Sequence, residues 1–176
     1  KGEVEQAWSW VQRGIDRCRL SSSPKGVARD LDVLACYAAS CLTILGRPGE
    51  AAEYLERAKK QVESGKIELS LIANYNAHRL LFYRESGELG AEAAAAEEDF
   101  LALGIKPSLA PLYRRHFYVA GVYRWLDRCH HSQGAAEDLQ GLDRAITLLE
   151  ETSKHPILKT HLLHAKAVRH VYSGRL

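Results

Sequence analysis

The residues whose types could do chemistry crowd the end of the chain. Between 154 and 176 stand five Lys or Arg and four His, with no Asp or Glu. His161 and His164 are three residues apart, which on a helix places both imidazoles on one face, the spacing of a zinc-binding pair. Zinc asks for a third and fourth ligand, and neither an acid nor a cysteine lies nearby in sequence. The sequence therefore assigns no metal to His155, His161, His164 and His170 and reads them as surface or interface histidines. Cys129-His130-His131 falls at an expected helix end, where an imidazolium suits the carbonyl dipole. Glu97, Glu98 and Asp99 are consecutive, so on a helix their carboxylates diverge by about 100° each and cannot converge as an acid–base pair. They read as a solvated face. No G-x-S-x-G, H-E-x-x-H, phosphate-binding glycine loop or G-x-G-x-x-G occurs. Nothing argues for an enzyme, and no cofactor is implied.

Bulk properties narrow the field further. Of 176 residues, 46% are hydrophobic and 26% charged, an ordinary globular balance able to bury a sizeable core. A net charge of +2 supplies no global field for nucleic acid or an anionic membrane. No apolar run approaches the length needed to span a bilayer. The four cysteines, Cys18, Cys36, Cys41 and Cys129, form no C-x-x-C pair and read as small buried thiols in a reducing, cytoplasmic compartment. The chain opens on Lys1-Gly2-Glu3 and contains no Met, which suggests a segment of a longer protein.

Helical periodicity must position these residues, because no alternating strand pattern stands out. Breaks at Ser21 to Pro24, Gly46 to Gly49, Ser64-Gly65, Ser86-Gly87, Gly104 to Pro107, Ser132 to Gly134 and His155-Pro156 imply eight helices. They are expected near 3–19, 27–45, 48–63, 67–86, 89–103, 108–129, 137–153 and 157–173. Short joins make chain neighbours antiparallel. Within this frame a pattern recurs. Gly46 is followed by Ala51, Leu55 and Ala58, and the chain start repeats it as Gly2, Ala7, Val11 and Gly14. Small residues Ala35, Ala39, Ala73, Ala77, Ala120 and Ala165 punctuate the alternate helices. Two backbones approach closely only where side chains are small, so these positions predict helix–helix contacts.

On these residues, above all Gly46 to Ala58, the chain resembles the tetratricopeptide repeat (TPR) superfamily. Turn glycines at 2, 46, 87 and 174 space four units by about 43 residues, longer than the roughly 34 of a standard repeat. That is similar to the long-helix, MalT-like sensor region of bacterial regulators. The resemblance implies an all-α fold, a right-handed solenoid of about four antiparallel helix pairs, forming a single domain over 1–176. It also implies a concave groove lined by the first helix of each pair. Counting from the small residues selects Val33, Cys36, Ser40, Thr43, Leu71, Asn74, His78 and Leu81 for the first half. For the second half it selects Arg114, Phe117, Gly121, Arg124, Lys159, Leu162, Lys166 and Arg169. The second half is cationic and free of acids. Asn74, His78, Arg114, Phe117, Arg124, Lys166 and Arg169 are thus the expected partner contacts, with Phe117 an apolar anchor between arginines. A TPR carboxylate clamp uses Lys, Asn and Arg, but the spacing here differs. The expected function is a scaffold or regulatory module holding a protein or peptide, acidic by charge. The alternative is a small-molecule sensor, and self-association is a third reading. Base stacking on the aromatics would suit nucleic acid, but the small net charge argues against it.

Overall fold

The computed structural model describes residues 2–20, 24–64, 68–152 and 155–174, with 24–29 given by backbone alone. Among these residues the protein is all-helical, with no strand. The helices are α1 (Gly2–Leu20), α2 (Pro24–Ile44), α3 (Pro48–Glu63), α4 (Leu69–Glu85), α5 (Ala91–Leu101), α6 (His116–His131), α7 (Ala136–Thr152) and α8 (Pro156–Tyr172). Local signals set most boundaries. Proline opens α3 and α8, where its missing N–H costs nothing. Gly46, at φ 78°, closes α2 in the left-handed region, and the Arg47 N–H reaches back to the Leu42 carbonyl at 2.8 Å.

One expected helix is corrected. The span 108–129 begins instead as two 3-10 turns, Pro107–Leu109 and Leu112–Arg114, and α6 starts only at His116. Pro111 lacks the N–H a helix would need and pushes its predecessor out of helical geometry. Arg114 therefore sits on a turn, not on the face counted for it.

The chain forms two compact units, Lys1–Glu88 and Leu89–Leu176. In the first, α2 packs against α1, α3 and α4. Ala35, Ala39, Ala51, Ala58, Ala73 and Ala77 meet this expectation and are buried, whereas Ala7 of the pattern at the chain start is exposed. Larger side chains fill the space between, with Trp8 edge-on to Tyr54 at 6.0 Å and Leu42 enclosed beside Ala38 and Ala51. In the second unit, α7 packs against both α6 and α8, and α6 also touches α8. Phe100 of α5 stacks on Phe117 of α6, with ring centroids 3.7 Å apart and Tyr118 edge-on to both. Leu142, Leu149, Leu162 and Ala165 complete that core.

Cys36 and Cys129 are buried and Cys18 and Cys41 half-buried, all as free thiols. Burial, with Asp32 beside it, pushes the Cys36 thiol up to about 12, so it stays protonated and inert. Among the described residues no helix is long and apolar enough to cross a membrane.

Candidate functional site

The expected contact residues divide between the two units, and most of them turn inward. In the first unit Asn74 and His78 lie on α4, both buried. The Ser40 hydroxyl of α2 meets His78 Nδ1 at 2.5 Å, and the Tyr37 ring stands edge-on to the imidazole at 5.0 Å. The counted faces of α2 and α4 do meet, but they meet each other, and His78 seals the contact rather than opening on a groove.

In the second unit Arg124 is 1% exposed. Its Nη1 donates to Glu97 Oε2 at 2.5 Å, while Nε and Nη2 donate to the Leu89 carbonyl at 3.3 and 3.1 Å. Glu97 also accepts from Trp125 Nε1 at 3.1 Å. The reading of Glu97 as part of a solvated face is corrected: the α5 carboxylate points at α6. Burial raises the Glu97 carboxyl above its ordinary value and lowers Arg124, with the ion pair opposing both shifts. Desolvation here outweighs attraction, the usual balance for an enclosed pair. The Arg124 and Arg128 guanidiniums lie 4.8 and 5.0 Å from the centroid of the Trp125 ring.

Phe117 is likewise a core residue, stacked on Phe100, and not an exposed anchor. Lys166 donates to Glu150 at 2.6 Å, and Arg169 grips Asp143 through two bonds of 2.8 and 2.9 Å. Arg128 donates to Asp138 at 2.7 Å. Three of the five cations expected on an acid-free face, Arg124, Lys166 and Arg169, are thus paired by α5 and α7, whose carboxylates lie 16 to 27 residues away in sequence. Arg114 lies half-buried on its turn with its guanidinium 5.2 Å over Tyr113. Lys159 is exposed and makes no ion pair among the described residues.

What the second unit does open is an apolar cleft of about 280 Å3 between the approach to α6 and the start of α8. Leu112, His116 and Val119 form one wall, and His155, Ile157, Leu158 and His161 the other. Leu112 and Ile157 are more than half exposed, as are Leu109 and Tyr113 or nearly so, at 75% and 50%. His116 Nδ1 lies 2.8 Å from the Tyr113 carbonyl, and a carbonyl only accepts, so that nitrogen carries the proton. Burial lowers the His116 imidazole below its ordinary value, which keeps it neutral near pH 7. Among the described residues no carboxylate lines the cleft. Sequence reasoning noticed His155 and His161 but missed Leu112, Val119 and Ile157. The available signal was a pair of prolines, Pro111 just before the 3-10 turn Leu112–Arg114 and Pro156 at the start of α8, which flank the two walls.

Compared with known proteins, the chain matches no family model, no curated protein and no solved structure.

Proposed function

We propose that this chain is a TPR-like interaction module, a scaffold or regulatory domain that holds a protein or peptide partner in the cytoplasm. The order of contacts supports stacked helix pairs. Trp125 and Arg128 of α6 meet Gly141 and Asp138 of α7, so the sequence runs reversed along the neighbour. His116 shares the cleft with His155 to His161, and Tyr123 bonds His161 and His164, so α6 and α8 run in the same direction. That alternation is what a right-handed solenoid of antiparallel pairs requires.

The observation that carries the function is the apolar cleft with exposed Leu112 and Ile157 at its mouth. An exposed apolar patch around a small pocket is the composition of a surface that receives one anchoring side chain. Lys159, beside Leu158 on α8, would favour an acidic residue flanking that anchor. The cationic strip of Arg124, Lys166 and Arg169 plays the smaller part, because its charges are already paired. The alternative, a small-molecule sensor, rests on the same cleft, whose volume lies just below the roughly 300 Å3 where ligand pockets begin.

The test is affinity capture from native lysate, comparing the chain with a Leu112→Glu/Ile157→Glu variant, both sites being exposed. A partner held by the parent and lost by the variant supports the interaction reading. Identical capture by both sinks it. A ligand screen in which small molecules raise the melting temperature of the parent alone would favour the sensor.

A further inference from the structure

The structure supplies a third donor atom that the sequence withheld from the histidine pair of α8. Tyr123, half-buried on α6, places its phenol oxygen 3.0 Å from His161 Nδ1 and 3.1 Å from His164 Nδ1. His161 is half-buried and His164 exposed, so the three atoms meet at the surface of the second unit. We infer that Tyr123 Oη, His161 Nδ1 and His164 Nδ1 form a binding site for a divalent late transition metal ion, copper or zinc.

The distances carry the inference. Ligands bound about 2.0–2.1 Å from one metal ion at angles between 90° and 109° stand about 2.9–3.4 Å apart. Both observed separations fall inside that window, so the phenol oxygen can share one ion with either imidazole nitrogen with only small shifts. Two imidazole nitrogens and one phenol oxygen form a borderline donor set that suits copper and zinc rather than magnesium or calcium. Among the described residues no three His, Cys, Asp or Glu are grouped closely enough to hold a metal. The site therefore depends on the phenol, and water completes its coordination.

The hydrogen bonds also fix the proton count. A phenol has one proton to donate, so at least one of the two rings carries its proton on Nδ1 and donates it to the phenol oxygen. Metal binding needs a lone pair from all three atoms. A ring protonated on Nδ1 moves that proton to Nε2, and the phenol gives its proton to water. One proton leaves for each metal bound, and the charge of the ion is reduced by the phenolate.

Isothermal titration of the whole chain with copper(II) and zinc(II) sulfate, in two buffers of different ionisation enthalpy, tests this. The expected result is one saturable site with release of one proton, and with copper a visible phenolate-to-metal absorption band. Tyr123→Phe should abolish the band and the proton and weaken binding about tenfold or more, while His161→Gln/His164→Gln should remove the site. His130→Gln/His131→Gln, the other adjacent pair, should leave all three readouts intact. Circular dichroism of each metal-free variant establishes that it is folded. The inference is overturned if binding does not saturate below about 1 mM, or if it follows His130 and His131. Unchanged affinity, band and proton release in Tyr123→Phe would overturn it equally. Partner capture does not enter these readouts, so this site and the interaction cleft fail separately.

Discussion

Glu97 shows how far a single carboxylate can depart from its local setting. In sequence it belongs to an acidic run on an alanine-rich helix, and nothing nearby gives it a partner. In the structure Arg124 and Trp125 both donate to it, and its side chain keeps only 12% exposure. Removing one member of such a pair leaves an uncompensated buried charge. Arg124→Met and Glu97→Met are each expected to cost about 3 kcal/mol in urea unfolding. The double variant should lose clearly less than the sum, and strict additivity would mean the pair is not coupled. The pH dependence has a definite sign. Because burial raises the folded carboxyl above its unfolded value, protonation of Glu97 favours the folded state. The stability of the parent relative to Glu97→Gln should therefore rise as pH falls through the folded value, and level off below the ordinary glutamate range. A relative loss on acidification would reverse the assigned direction.

At the scale of elements, α7 governs the second unit because it faces both α6 and α8. Its glycine, Gly141, lies directly against Trp125: a Cβ built there would stand 2.3–2.6 Å from three ring carbons. The ring cannot easily retreat, held as it is by the Glu97 hydrogen bond and two guanidiniums. Gly141→Ala should destabilise by about 1–3 kcal/mol through overpacking, even though alanine favours helices by up to about 1 kcal/mol. Gly49→Ala in α3, where nothing lies within 4 Å, should be neutral or stabilising by up to about 1 kcal/mol. Equal effects at the two glycines would refute the packing argument. The small residues at 39, 77, 120 and 165 were legible in sequence because they recur at helical spacing with turn glycines. Gly141 was not, since its need depends on a tryptophan from another helix.

At the scale of the whole molecule, each unit carries its own core, and the segment from Ser86 to Gly90 lies at the division. That stretch is largely exposed, and Gly87 turns at φ 77°. A glutamate-specific protease in limiting amount should cut first after Glu85 or Glu88 and leave two helical fragments. A first cut inside a helix, or loss of helicity in both fragments, would count against two separately packed units.

Helix existence, most helix ends and the small-residue contacts were all readable from the sequence alone, because each depends on residues within one or two turns of each other. Even there Pro111 interrupts the helix expected over 108–129 and carries Arg114 off its counted face. The partners of the charges were decided by tertiary packing. Glu97, Glu150 and Asp143 reach Arg124, Lys166 and Arg169 only when α5 and α7 lie against their neighbours. The cleft and the Tyr123–His161–His164 cluster arise the same way. The rotation of one helix about its axis against another places them, and a shift of one residue turns a side chain by about 100°. Periodicity fixes which face is apolar, but not which charged side chain on that face will meet its opposite.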